Sequence, residues 1–90
     1  MELKQLRDKL DKIDEEIVLL LAKRLTLIPA VAEYKKKNNV ARHQPDREKQ
    51  IIDSRRKIAE QNKINPDLVE KIFKDIILES HEIEKKVMGK

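Results

Sequence analysis

The sequence predicts an all-α fold, and three observations support that class. Apolar residues recur at alternating three- and four-residue steps, the spacing of one helix face, and strand-forming residues never alternate with polar ones. Charged residues make up 42% of the 90 residues and apolar residues 39%. The chain has one Gly, one Tyr and one Phe, and its turn signals are sparse. We therefore expect one small helical domain over residues 1–90. A chain of this length buries a limited core by itself, which favours an oligomer.

The first predicted helix is very long, from residue 3 to about residue 37. Pro29 lies inside it, removes one backbone hydrogen bond and crowds the carbonyl of Leu25, so we expect a bend there and not a stop. At about 1.5 Å per residue the helix would span on the order of 50 Å, more than a compact three-helix domain needs. This length predicts pairing with a second copy, and a plain coiled-coil dimer is the alternative. The apolar seam consists of Leu3, Leu6, Leu10, Ile13, Ile17, Leu20, Leu27, Val31 and Tyr34.

The second predicted helix runs from Pro45 to near Asn62. We expect the segment 35–39 to fray the end of the first helix, with a loop to Gln44. Pro suits a first helical turn, and Asp46 suits the positive end of the helix dipole. The basic run 55–57 is expected to face water.

The third predicted helix begins at Asn65-Pro66-Asp67, which reads as an N-cap, a first-turn proline and an acidic residue. Gly89 lies just beyond its predicted end. Its apolar stripe is formed by Phe73, Ile76, Ile77 and Ile83.

Four polar residues interrupt these apolar stripes. Arg24 occupies the seam of the first helix, and Lys35, eleven residues later, lies on nearly the same face. Ser80 lies inside the stripe of the third helix, with Glu84 one turn beyond it. A lone buried Ser usually hydrogen-bonds its own backbone, and a Glu near a helix end is usually solvated. However, a separate structural explanation of this kind would be needed for each of the four polar residues. Because a desolvated Arg costs several kcal/mol, either a buried carboxylate pairs with Arg24 or an anionic ligand fills a space beside it.

Arg7 also borders the first seam, and its position points to two chains. It lies seventeen residues before Arg24, about 25 Å along a helix and on a different face, so one straight helix cannot bring both to one small molecule. If two first helices run antiparallel, Arg7 of one chain approaches Arg24 and Lys35 of the other. A two-fold interface would then hold two equivalent pockets, each suited to a small ligand with more than one carboxylate or phosphate.

Composition narrows the partners and the compartment. The absence of Cys fits a reducing compartment, no apolar run reaches membrane-spanning length, and the N-terminus does not resemble a secretory signal. We therefore expect a cytoplasmic protein without a membrane partner. The net charge of +4 favours anionic partners, but Lys and Arg are interleaved with Glu and Asp, as on a solvated helix face, so a nucleic-acid partner is not expected.

The chain contains, in this order, Arg7, Asp14, the run 20–24 (LLAKR), Lys35, Asp46-Arg47-Glu48 and the run 76–80 (IILES). This order resembles the all-helical chorismate mutase family over essentially the whole chain. The resemblance implies an intertwined homodimer that converts chorismate to prephenate, a step toward phenylalanine and tyrosine. The reaction of this family is a concerted [3,3] rearrangement, so the resemblance implies no cofactor, metal or covalent intermediate.

The resemblance also implies a role for each cation. Arg7, supplied by the partner chain, and Arg24 from within the chain would each bind a substrate carboxylate. Lys35 would bond a carboxylate and the ether oxygen of the breaking bond. Arg47 would support the carboxylate site. Guanidinium forks suit planar carboxylates, and an ammonium suits a single oxygen.

Four uncharged or acidic positions complete the implied site. Gln44 would contribute mainly through its backbone, Glu48 would accept from the ring hydroxyl, and Ser80 would line the pocket. Many bacterial members place Gln where this chain has Glu84, to donate to the ether oxygen. An ionised Glu can only accept, so our hypothesis is that Glu84 acts in its protonated form. The two imidazoles receive no role: His43 is interpreted as a loop residue and His81 as flanking the pocket or exposed.

Three alternatives remain open at this point. A lyase that releases pyruvate from isochorismate would use the same fold and similar cations; the Arg47-Glu48 pair favours the mutase. A basic helical module could bind nucleic acid or a partner helix, but Arg24 and Lys35 lie in apolar stripes where they are poorly placed to follow a phosphate backbone. A purely structural coiled coil leaves the second and third helices without a role.

Overall fold

All regular structure in the computed structural model, which describes residues 1–89, is helical. This result confirms the all-α prediction. The molecule is elongated, with principal dimensions of 55 × 23 × 14 Å. None of the described helices has the length and apolarity that a membrane-spanning helix requires. The helices are α1 (Leu3–Thr26), α2 (Ile28–Lys37), α3 (Pro45–Gln61) and α4 (Pro66–Met88).

The long first helix is present as α1 and α2, separated by the single residue Leu27. This residue keeps helical dihedral angles (φ −82°, ψ −19°), and its carbonyl accepts from the N–H of Val31 at 3.2 Å. The expected bend is thus confirmed, and the break in the helix falls at Leu27, two positions before Pro29. The physical reason is the one predicted: Pro29 has no N–H to donate to the carbonyl of Leu25.

The end of α2 is ordered, so the prediction that residues 35–39 fray the helix is wrong. The helix continues to Lys37, and Asn39 then adopts a left-handed conformation with φ 56°. This turn lets the N–H of Val40 donate to the carbonyl of Lys35 at 2.8 Å, which is a Schellman closure. Asn tolerates the left-handed region better than most residues do. The closure sends the following loop back along α2.

The boundaries of α3 and α4 match their sequence signals. Pro45 opens α3, which ends at Gln61. The side chain of Asn65 accepts from the N–H of Asp67 at 2.9 Å, as expected of an N-cap. Beyond the last turn of α4, Gly89 takes φ 75° and its N–H donates to the carbonyl of Lys85 at 2.8 Å. Only a residue at ease in the left-handed region ends a helix this way.

The core lies among α2, α3 and α4, because α4 packs along both of the other helices. By contrast, every residue of α1 from Leu3 to Lys23 is exposed, and only Arg24 and Leu25 are half-buried. The core-forming part of the chain therefore comes after the bend, and most of α1 extends beyond it. The buried apolar side chains are Ile28, Ala32, Ile51, Ala59 and Ile77.

Candidate active site

A cleft of about 470 Å³ opens between α2, α3 and α4 and is also bordered by the end of α1. Its apolar wall includes Ile28 and Val31 from α2, Ile51 from α3 and Ile77 from α4. The polar residues that interrupted the apolar stripes in the sequence project into the same cleft. An apolar cleft with a few converging polar groups is the usual form of a small-molecule site.

The structure brings together seven of the eight predicted site residues. Arg7 is the exception: it lies on the exposed part of α1 and does not line the cleft of its own chain. This position agrees with the prediction that a single chain cannot use Arg7 together with Arg24. The residues that do line the cleft are Arg24, Lys35, Gln44, Arg47, Glu48, Ser80 and Glu84.

Lys35 and Glu84 form an ion pair inside the cleft. The Nζ atom of Lys35 lies 3.0 Å from Oε2 of Glu84 and donates to the carbonyl of Arg42 at 2.9 Å. Only 13% of the Lys35 side chain and 7% of the Glu84 side chain are exposed. Glu84 is therefore not a solvated residue near a helix end. It is a buried carboxylate whose charge is matched by one ammonium.

Arg24 is held by a hydroxyl and not by a carboxylate. Its Nη1 donates to Oγ of Ser80 at 3.3 Å, while that hydroxyl donates to the carbonyl of Ile76 at 2.9 Å. Across residues 1–89 no carboxylate lies within ion-pair distance of Arg24. Burial, then the charges of Arg55 and Arg47, lower the pKa of Arg24. Of the two alternatives that the sequence left open for Arg24, the structure shows a cation without an acidic partner beside an open space.

The start of α3 supplies the rim of the cleft. Gln44 is the N-cap residue, and its carbonyl accepts from the N–H of Glu48 at 3.1 Å, which begins α3. Arg47 is exposed and donates to Gln50 at 2.7 Å. The Oε2 atom of Glu48 lies 2.9 Å from Nε2 of His81. These contacts place one carboxylate and one guanidinium at the mouth of the cleft.

Two polar lining residues, Arg42 and Arg55, were missed at the sequence level, whereas His81 was expected either to flank the pocket or to be exposed. Arg55 was expected to face water, but it is half-buried, and its Cζ lies 5.6 Å from the centre of the Phe73 ring. Its spacing of one turn from Ile51, which is buried, is the signal that could have placed it on the cleft face. His81 is likewise half-buried and lines the cleft. No spacing rule predicts Arg42, because it lies in the loop before α3.

The charge balance of the cleft defines the class of ligand it suits. Five cationic side chains line it against two carboxylates, and one of those carboxylates is already paired with Lys35. The guanidiniums of Arg24, Arg47 and Arg55 are close enough that the latter two depress the pKa of the first. A small ligand with two negative charges would relieve this repulsion.

Comparison with known proteins agrees with the geometry. The family model of chorismate mutase type II matches residues 6–85. The chain is 40% identical over 80 residues to the T-protein of Enterobacter agglomerans, covering 89% of this chain and 21% of that protein. It is 37% identical over 92 residues to the bifunctional chorismate mutase/prephenate dehydratase of Aquifex aeolicus, covering 96% of this chain and 25% of that protein.

A third relative is matched along most of its own length. The chorismate mutase of Methanocaldococcus jannaschii is 32% identical over 87 residues, covering 97% of this chain and 88% of that protein. The chain thus spans about a fifth to a quarter of the T-protein and of the bifunctional enzyme, but nearly all of this shorter relative. The match of the family model over residues 6–85 settles the classification: the chain belongs to the chorismate mutase type II family.

Proposed function

We propose that this chain converts chorismate to prephenate as one catalytic domain over residues 1–90. The observation that supports the proposal best is Arg24, a half-buried guanidinium without an acidic partner in the described chain, at an open cleft of about 470 Å³. A concerted rearrangement needs no nucleophile. It needs a compact substrate conformer held in place and positive charge where the ether oxygen gains electron density.

In the proposed complex Arg24 binds one substrate carboxylate. The carboxylate would offset the repulsion from Arg55 and Arg47 that lowers the pKa of Arg24. Ser80 orients the guanidinium through its 3.3 Å contact with Nη1. Arg47, now bonded to Gln50 at the rim, supports the same carboxylate.

Lys35 stabilises the developing charge on the ether oxygen. Its ammonium has three N–H groups. One points to Glu84 and one to the carbonyl of Arg42, so the third is available for a substrate oxygen. The two existing contacts fix Nζ before the substrate arrives, and a donor positioned in advance costs no reorganisation during the reaction.

Glu84, in its protonated form, is proposed to donate a hydrogen bond to the ether oxygen from the other side. In the chain alone its contact with Lys35 stabilises the carboxylate. Binding of a doubly negative substrate in the same cleft opposes that charge and favours uptake of a proton from solvent. Because the ionised carboxylate can only accept, activity should fall as pH rises. Glu84→Gln should flatten this pH profile, and an unchanged slope in the variant would remove Glu84 from the role.

A second copy of the chain is proposed to complete the site. The apolar seam of α1 is exposed along its length, with Leu10 57% and Ile17 58% accessible. Antiparallel pairing of two α1 helices would cover it and bring Arg7 of the second copy opposite Arg24. Arg7 would then bind the second substrate carboxylate. We place this homodimer in the cytoplasm, which the absence of Cys favours.

The test is an activity assay with product identification. Purified protein should remove the absorbance of chorismate and yield prephenate. Isochorismate, given to the same preparation, should release no pyruvate. Pyruvate release with chorismate unchanged would make the chain a lyase, and no reaction with either substrate at any protein concentration would refute the enzymatic proposal.

A further inference from the structure

The cleft contains a row of three hydrogen-bonded side chains, and two of them, Arg42 and His81, have no role in the proposed reaction. Nη1 of Arg42 lies 2.7 Å from Nδ1 of His81, and Nε2 of His81 lies 2.9 Å from Oε2 of Glu48. The ring of His43 stands 5.7 Å from that of His81, and its Nε2 lies 3.3 Å from the same Glu48 oxygen. Of these hydrogen-bonded side chains, Arg42 comes from the loop after α2, His81 from α4 and Glu48 from α3.

The chemistry of Arg42 determines where the proton of His81 resides. A guanidinium has only donors, so the 2.7 Å contact requires a lone pair on Nδ1 of His81. The imidazole is then neutral and carries its proton on Nε2, which donates to Glu48 at 2.9 Å. A proton on Nδ1 would place an N–H against the guanidinium and break the contact.

We propose that His81 is a positioning residue that orients the carboxylate of Glu48 toward the substrate. The inference rests on the proposed function and on the role that the family resemblance implies for Glu48, which is to accept a hydrogen bond from the ring hydroxyl. Both imidazole contacts are made to Oε2. Fixing that oxygen sets the rotation of the carboxylate and leaves Oε1 for the substrate.

Arg42 connects this orientation to the position of Lys35. Its side chain holds His81, and its carbonyl accepts from Nζ of Lys35 at 2.9 Å. One loop residue therefore supports the groups assigned to the ring hydroxyl and to the ether oxygen. The Schellman closure at Asn39, which turns the loop back along α2, puts Arg42 within reach of both.

The kinetic test is a double-mutant cycle between His81 and Glu48. His81→Leu should lower kcat/KM about tenfold. In a Glu48→Gln background the same change should cost less than about twofold, because the carboxylate that His81 orients is no longer present. His81→Gln, which can retain an N–H donor toward Glu48, should recover much of the loss. Equal losses in both backgrounds would overturn the proposal.

His43→Leu is the matched control. It removes the other imidazole from the same Glu48 oxygen, but the His43 side chain is 61% exposed, and the guanidinium of Arg42 contacts His81. Its kcat/KM should stay within about twofold of the parent. A loss as large as that of His81→Leu would mean that the orientation of Glu48 depends equally on both imidazoles, which contradicts a role specific to His81.

The second readout is spectroscopic and does not depend on catalysis. Side-chain ¹⁵N NMR of His81 near neutral pH should give the pattern of a neutral ring with a protonated Nε2 and an unprotonated Nδ1. Arg42→Leu should abolish this preference. A ring protonated at Nδ1 in the parent protein would overturn the inference even if the mutase activity is established, whereas an inactive protein with the expected tautomer would refute only the proposed function.

Discussion

The same apolar periodicity has different consequences in two parts of this molecule, helix α1 and the group formed by α2, α3 and α4. In α2, α3 and α4 the apolar stripes face one another, and within residues 1–89 these helices contain all the buried residues. In α1 the stripe from Leu3 to Leu20 faces solvent in the single chain. Helix α1 thus supplies an apolar surface without a partner, and the group of three helices supplies a cleft that already exists.

Under the proposed function, the site is therefore assembled in two steps. Lys35, Glu48, Ser80 and Glu84 are positioned within one chain, by contacts of 2.9 to 3.3 Å. Arg7, on α1, has no route to that cleft without a second chain. Substitutions in the seam of α1 should therefore abolish the dimer together with activity, whereas substitutions in the cleft should change activity or binding while the dimer persists.

The largest effect is expected from Ile13→Glu in the exposed seam. A charge buried between two α1 helices would prevent pairing, so dimer and activity should disappear together, with a rate loss of at least about 100-fold. Sedimentation measures the assembly, and the chorismate assay measures the rate. Lys12→Glu, on the polar side of the same turn, is the control and should leave both unchanged. A fully active monomer would show that the cleft needs no second copy.

Lys35→Ala should lower kcat by about 10²–10³-fold while the dimer persists. It also leaves the buried Glu84 carboxylate without its ion-pair partner, at a cost of about 3–5 kcal/mol if that group stays ionised. Lys35→Ala/Glu84→Gln should recover stability in thermal unfolding without recovering the rate. Lys36→Ala, at an exposed neighbouring position, is the matched control. A Lys35→Ala variant with full activity would reject the proposed site.

Arg55→Leu should separate stability from binding inside the cleft. Burial is the main cause of the lowered pKa of Arg24, and the charge of Arg55 is the next. Removing this guanidinium relieves that repulsion, and Leu can pack near Phe73. We expect stability to rise by up to about 1 kcal/mol, as in other cases where a functional site costs stability. KM should rise about tenfold. Lys57→Leu on the same helix is exposed and should leave KM unchanged. Lower stability with an unchanged KM would make Arg55 structural.

The smallest effect is expected at Glu70, away from the cleft. Hydrogen bonds and charges from Lys74, with a further contribution from Arg56, hold the pKa of Glu70 below its ordinary value of 4.5. A lowered folded-state pKa adds stability that is complete above the unfolded value and is lost as pH falls through the folded one. Glu70→Gln should therefore lower Tm at pH 7 and converge on the parent as pH falls below the folded-state pKa of Glu70. Glu79→Gln, at an exposed position, should not show this convergence.

Local signals in the sequence were sufficient for most of the fold. Asn65 and Pro66 define the start of α4 through contacts within a few residues. Pro29 predicts the bend because a proline has no backbone N–H, whatever the rest of the fold. The fray at the end of α2 was predicted wrongly because its outcome is not local. Whether Asn39 takes the left-handed turn depends on where the loop after it packs, and the run of three lysines before it carries no such information.

The candidate site was predictable where a charge interrupts an apolar stripe. Arg24, Lys35 and Glu84 stand out in this way, and each lines the cleft. Arg42 and His81 do not stand out, because a loop residue has no periodicity and a half-buried imidazole looks like a surface one. Their contact at 2.7 Å depends on the path of the loop across α4, and no residue spacing in the sequence predicts that path.

The single-residue joint at Leu27 has a mechanical consequence. Arg24 lies before Leu27 and Lys35 after it, so any change in the angle between α1 and α2 changes the distance between the two cations. Leu27 itself lines the cleft between them. In the proposed homodimer, the packing of the two α1 helices would therefore set the distance between the cations that bind the substrate. Mutations near the N-terminal end of α1 should then alter the affinity for the substrate although they contact no ligand.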